Sequence, residues 1–521
     1  MRRIIPLLLV CSLLMVSASV PPAQAASQAP DASVGLAEDP VAGVHAPGNW
    51  YPGPMPSNPN PNKPVLVFVH GKGGSASVWW GDTMYHGIND MRTYAYNDGY
   101  RTAYVDLYPE GTMWDNGELL ANMLNQITAY YGVNKVVIVA HSKGGVDANT
   151  ASAHFGASSK IAKVITLGTP HWGSPLADLA YSNWASWLAE LLGQLTDATY
   201  VMQTGYMEGF RVSTDGRDPG VAYRTVSGKK CGPILTALWL GCVYISGEDD
   251  GMVPVWSAQK PGAAHLKTGD WDHDEIRMGS RVWSTIFPHL TLSGQAASAE
   301  DLQAAPGGNR ASAAVPAPGN LILRGGKVSA EERADLLPVE SGVKAATFTV
   351  LSSDPDVEAA LASPDGQLYP VKLSTQVADE EVFAGAWLGS VEVQEPAAGE
   401  WKLVTSGPKG SAYLMIAAFE GGVTAVLDKG SHISSPGTAR TLSVDLKGAE
   451  VAESQVAVTL TGRDGIVADE IGFAAGKATH KAAVPVPQEP GVYTVTLTVT
   501  GKLADGSAFE RTVVTSFAAY H

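Results

Sequence analysis

The chain is poor in cysteine, in basic residues and, past its first two dozen positions, in long apolar runs. Each shortage closes off a class of protein. With 35 Lys and Arg against 51 Asp and Glu the formal charge is −16, which excludes nucleic acid as a partner and denies the surface a polybasic hold on anionic membrane. No run beyond the N-terminal segment is long enough to cross a bilayer. The 3 cysteines permit at most one intramolecular bridge.

What is present begins with Arg2 and Arg3, an apolar stretch over residues 4–20, and then Ala23-Gln24-Ala25. This order of charge, apolar core and small-residue site reads as a secretory signal, so residues 1–25 are expected to be removed and the mature protein to be secreted and extracellular, with no integral membrane segment. Cys11 leaves with that segment. Cys231 and Cys242 remain, and an oxidising compartment favours their pairing. The short loop they close would pin a local hairpin and contribute about 2–3 kcal/mol.

After an irregular Pro- and Asn-rich approach, residues 45–292 read as one globular unit. Short apolar runs at 65–69, 102–106, 136–140 and 163–167 alternate there with longer helical or irregular stretches, which predicts an α/β unit with a mostly parallel central sheet. Residues 293–338 turn to Ala, Gly, Pro, Ser and Gln and read as a linker, with room for a strand or two near Leu321. Beyond it, period-two patterns separated by Asp-Gly and Pro-Gly turns predict two antiparallel β-sandwich modules, over 339–422 and 423–521. The tail holds only Trp387 and Trp401 of the 13 tryptophans, so large apolar surface concentrates in the first unit.

Within that unit residues 136–145, VVIVAHSKGG, form a β-branched run that ends in a serine among small residues. A strand that reverses sharply into a helix needs small side chains two before and two after the exposed residue, where strand and helix nearly touch. Ala140 and Gly144 supply them around Ser142. A serine hydroxyl needs a base, and the base an orienting acid. In the segment VYISGEDDGMVPV the acid chosen is Asp250, with Asp249 and Glu248 as solvated neighbours; in WDHDEI the base chosen is His273, with His265 as rival. Asp272 and Asp274 flank His273 either as modulators of its pKa or as ordinary surface acids. Backbone N–H groups must meet the oxyanion, one from Lys143 after the nucleophile and one from Lys72 in the glycine-rich loop HGKGG. His70 in that loop precedes Ser142 and fits the oxyanion setting better than a base. The two lysine side chains are expected to face solvent.

The insertion over 175–221 opens with Leu176, Ala180, Trp184, Trp187, Leu188, Leu191 and Leu195 recurring at three and four, an amphipathic helix that either packs on the sheet or covers the cleft as a mobile lid.

Taken in order, HGKGG, AHSKGG, LGTPHWGSPLAD, EDDGMVP and WDHDEI resemble the motifs of secreted bacterial triacylglycerol lipases and esterases over about residues 48–290. The resemblance implies an α/β-hydrolase fold, a Ser-Asp-His triad and hydrolysis of carboxylic esters through an acyl-enzyme without a cofactor. Several such lipases hold a structural calcium near the catalytic histidine, with carboxylates in a pattern that His273-Asp274-Glu275 does not reproduce, so no metal is expected. The expected partner is a lipid or ester substrate at an interface. Two alternatives stand beside this reading: an extracellular polyester (polyhydroxyalkanoate) depolymerase, and a non-catalytic surface-binding protein with a retired hydrolase unit.

Overall fold

A computed structural model describes residues 45–293, 319–377, 382–428, 430, 433–472 and 476–520; the expected signal peptide lies outside them. The first unit is built on a seven-stranded sheet of β1 (Trp50–Pro52), β2 (Leu66–Val69), β3 (Thr102–Val105), β4 (Val136–His141), β5 (Ile161–Leu167), β6 (Ala222–Gly228) and β7 (Ala264–Gly269), in the order β1-β3-β2-β4-β5-β6-β7. Only β1 runs antiparallel to its neighbour. Strands β2 to β6 are buried at every position, and β2 to β5 accordingly read as largely apolar runs rather than as alternating ones, whereas β6 also buries Arg224, Thr225 and Ser227. Helices α1 (Met91–Asn97), α2 (Met113–Tyr131) and α3 (Lys143–His154) provide the early crossovers. Two separate cores result, one under α2 and α3 around Val67, Leu124 and Ile138, the other on the opposite face around Phe68, Trp79 and Val139.

The insertion departs from the single amphipathic helix that its spacing predicts. Helix α4 (Pro175–Ala180) and helix α5 (Ser186–Leu191) are separated by a break at 181–185, where the Ser182 hydroxyl accepts from the Ala185 N–H and so competes with helix continuation. Leu176, Ala180 and Leu188 are buried, whereas Trp187 and Leu191 stay exposed. Helices α6 (Asp197–Val201), α7 (Thr204–Thr214), α8 (Ala237–Tyr244) and α9 (Gly279–Ile286) complete the unit.

The tail is two sandwiches joined edge to edge. In the first, strands that include Leu321–Lys327, Val343–Ser352 and Ala412–Gly421 face a sheet of Arg333–Val339, Glu358–Ala362, Leu368–Val371 and Gly399–Ser406 over a core around Phe348 and Trp401. In the second, Val451–Gly462, Gly491–Leu503 and Ala508–Ala519 face Thr424–Asp428, Ala439–Lys447 and Thr479–Pro485 around Leu442 and Leu497. Thr512 pairs with Leu321 and fuses the larger sheets into one. The strand expected near Leu321 is present as residues 321–327, and residues 333–338, also within the stretch read as linker, belong to a second paired strand that runs to 339; both belong to the first sandwich.

The tail packs against the insertion. Leu176, Leu179, Leu188, Leu240 and Tyr244 share one buried cluster with Leu323, Phe383, Leu388, Leu414 and Ile416. Beside this apolar contact lies a buried polar seam, in which Asp178 accepts from the hydroxyls of Ser516 (2.6 Å) and Thr204 (2.7 Å), while Ser516 accepts from the Gly205 N–H (2.7 Å).

Candidate active site

Strand β4 delivers Ser142 with φ 52° and ψ −135°, a left-handed backbone that a residue other than glycine adopts only where its surroundings enforce it. The enforcement is steric. A Cβ at Gly144 would collide with the His70 carbonyl oxygen, so β4, α3 and the loop after β2 can meet only with glycine there. The same loop passes close over the serine, since a Cβ at Gly71 would lie 2.7 Å from the Ser142 Cβ.

Asp250 sits in the loop after α8. The apolar run ahead of the acids is not a strand: residues 243 and 244 close α8 and residues 245 and 246 leave it as coil, while Gly241 of the helix packs on the Gly251 carbonyl. Cys231 is bonded to Cys242, so the disulfide ties the coil after β6 to α8 and braces no hairpin. Asp250 is fully buried; its Oδ1 accepts from the Met252 (3.0 Å) and Val253 (2.7 Å) N–H groups, and its Oδ2 lies 2.8 Å from His273 Nδ1. His273 thus has Nδ1 on the acid and Nε2 free to face the cleft. Its main chain is held as well, because its N–H donates to the Asp250 carbonyl (2.8 Å) and its carbonyl accepts from His141 Nε2 (2.9 Å). Burial, then the nearby His273, pushes His141 well below the usual histidine range, which keeps it neutral.

Ser142, Lys143, Gly71, Lys72 and His273 line one cavity of about 60 Å³ with Met84, Met202, Met252 and Val253. No hydrogen bond joins Ser142 Oγ to His273 among the described residues; the two meet only across this cavity. Neither Lys72 N–H nor Lys143 N–H has a backbone acceptor among the described residues. Their side chains do not extend into solvent. Lys143 is buried with Nζ 2.8 Å from Asp147, and Lys72 Nζ lies 3.1 Å from Glu110 and 3.2 Å from Gln194.

The rival histidines are engaged elsewhere. His70 is buried with Nδ1 on the Gly71 carbonyl (2.7 Å) and Nε2 accepting from the Leu107 N–H (2.9 Å), and burial lowers it to about 4. His265 lies on β7 against Thr225 and Thr268. Among the acids beside Asp250, Glu248 is exposed, but Asp249 is buried and desolvation raises it to about 7.

Sequence reading missed two things. Asp272 and Asp274 are completely buried rather than surface acids, and Val382, from the first sandwich, lines the same cavity as Ser142. A signal for the first was available in Asp272-x-x-Glu275, the spacing of a capping box. For the second there was none, because the contact joins residues far apart in sequence. His86, Asp272 and Glu275 bring ligand-type atoms together. They do not fit a metal: His86 Nε2 is taken by Asp272 (2.7 Å), while Glu275 is engaged by Lys230 (2.8 Å) and Arg281 (3.1 Å).

A parallel sheet, a strained serine at the end of its middle strand and an Asp-oriented histidine across the cleft are the parts of an α/β-hydrolase. Residues 64–207 match the family model described as the alpha/beta hydrolase fold. Over 123 residues the chain is 32% identical to triacylglycerol lipases of Pseudarthrobacter phenanthrenivorans and Burkholderia plantarii; the match spans 22% of this chain and about a third of theirs, 35% and 31%. A crystal structure of Bacillus licheniformis lipase BlEst2 in its propeptide form is 33% identical with a TM-score of 0.70, covering 91% of this chain and all of that one. The chain belongs to the bacterial lipases and esterases of the α/β-hydrolase superfamily.

Proposed function

We propose that this protein is a secreted carboxylic-ester hydrolase that works through Ser142, His273 and Asp250. The observation that carries the reading is the 2.8 Å contact between His273 Nδ1 and Asp250, facing a cavity that also holds Ser142 on its strained turn. Ser142 Oγ attacks the ester carbonyl and gives its proton to His273 Nε2; the carbonyl π electrons move to oxygen, where the Lys72 and Lys143 N–H groups receive the charge. Collapse expels the alcohol, which takes the proton from His273. Water then repeats the sequence on the acyl-enzyme, releasing the acid and free Ser142. Met84, Met202, Met252 and Val253 form an apolar, adaptable wall for the acyl group.

The form that carries its tail is a proform. Val382 and buried Phe383 come from the first sandwich, and Val382 stands in the cavity where an acyl chain would enter. The Bacillus lipase that is similar over nearly the whole chain was crystallised in a form named for its propeptide, which supports the same reading of this tail.

The test is hydrolysis of a small soluble ester by the full chain and by Ser142→Ala. The variant should lose at least about 10³-fold in kcat; an unchanged rate would remove the proposal. Emulsified triglyceride and polyester film, compared at equal enzyme, then separate lipase from polyester hydrolase.

A further inference from the structure

The catalytic histidine sits inside a capping box. Asp272 Oδ1 accepts from the Glu275 N–H at 2.8 Å, and Glu275 Oε2 reaches back to the Asp272 N–H at 3.3 Å, so the tight turn that begins with His273 is closed from both sides by side chains. A box of this kind is ordinarily a surface feature. Here both carboxylates are buried, Asp272 completely, and each keeps a second oxygen to satisfy.

His86 addresses both of those oxygens. Its Nε2 lies 2.7 Å from Asp272 Oδ2 and its Nδ1 lies 3.9 Å from Glu275 Oε1. The loop that carries it is itself stiff, because Asp82 pairs with Ile88, the Thr83 N–H donates to the Gly87 carbonyl and the His86 N–H donates to Thr83 Oγ1. The neighbouring Tyr85 N–H donates to Asp274 Oδ2 at 3.0 Å, so residues on either side of His273 are tied to one loop. Charge is accounted for by protein groups. Arg277 meets Asp274, and Lys230 and Arg281 meet Glu275, while Asp272 meets His86.

We infer that His86 is a positioning residue: by bridging Asp272 and Glu275 it holds the capped turn that aims His273 at Asp250 and across the cavity at Ser142. It touches no substrate. It acts only through the carboxylates on either end of the box, and the inference rests on the hydrolase reading given above. A triad needs its groups held to within a fraction of an ångström, so loosening this turn costs rate rather than substrate binding.

The test compares full-length wild type, His86→Ala, His86→Gln and Asp272→Asn on a small soluble ester, with Ser142→Ala as reference. His86→Ala should lower kcat about tenfold with KM unchanged. His86→Gln, which keeps a donor toward Asp272, should recover part of that loss, and added imidazole should partly restore His86→Ala. Asp272→Asn keeps the capping acceptor and replaces the oxygen that meets His86 by an amide NH2, so it folds and reports the pairing should the alanine variant be unstable; a severalfold loss of kcat is expected. EDTA, Zn²⁺ and Ca²⁺ should leave the wild-type rate unchanged. Wild-type kcat in both His86→Ala and Asp272→Asn, or a rate that depends on added metal, would overturn the inference. Failure of the hydrolase reading looks different, since Ser142→Ala would then retain the wild-type rate.

Discussion

The two walls of the cleft are made in opposite ways. On the chemical side, His273 and Asp250 are fixed by short polar contacts within the first unit: two N–H groups on Asp250, His141 on the His273 carbonyl, and the capping box around the turn. On the acyl side, Val382 and Phe383 are brought from a separate sandwich and held by apolar packing against α4, α5 and α8. Directional hydrogen bonds set geometry, whereas apolar burial sets affinity without direction. Ser142, His273 and Asp250 are therefore positioned by contacts that do not involve the tail, while Val382 of the tail lines the cavity that Ser142 and His273 face.

The comparison can be broken most severely on the polar side. Asp250→Asn leaves packing intact but offers His273 Nδ1 a poorer partner, and kcat should fall about 10³–10⁴-fold with the folded state preserved, measured by steady-state kinetics and near-UV circular dichroism. On the apolar side the sign reverses. Val382→Gly with Phe383→Gly removes the plug, and glycine suits the φ of 65° at position 383; the full chain should hydrolyse a small soluble ester about fivefold faster. Ser516→Ala removes the bond to Asp178 and the acceptor of the Gly205 N–H but leaves Asp178 its Thr204 partner, so a smaller rise, about twofold, is expected in the same assay.

Asp249 sharpens the contrast through stability alone. Its folded carboxyl is raised to about 7 from 3.8, chiefly by burial, so the folded chain binds this proton more tightly than the unfolded one. Stability from this group is complete below about pH 4 and is lost as pH rises to about 7. Asp249→Asn should raise Tm by a few degrees at pH 8, leave it unchanged at pH 4 and alter kcat little, as thermal melts at the two pH values would reveal.

Legibility in the sequence followed the locality of the cause. Strands β2 to β5 stand within two residues of their expected positions, since a strand buried on both faces is mostly apolar along its length. The serine turn was readable because steric closeness leaves a mark in Ala140 and Gly144. The few apolar residues ahead of Asp250, from 243 on, suggested a strand end where α8 in fact finishes, because so short an apolar run has no periodicity to separate the two. The burial of Asp272 was hidden for a different reason. Its partner His86 lies 186 residues away, and an acid beside a histidine looks the same whether solvated or enclosed. The tail's hold on the insertion is more distant still, with Ser516 and Asp178 separated by 338 positions.

The most direct measurement is the reaction of the full chain with a small fluorophosphonate, followed by peptide mass spectrometry. A single adduct on Ser142, absent in Ser142→Ala and formed at least about 100-fold more slowly in His273→Ala, is the expected result. An adduct on another residue, or labelling of Ser142 at the same rate without His273, would contradict the proposed roles of these groups.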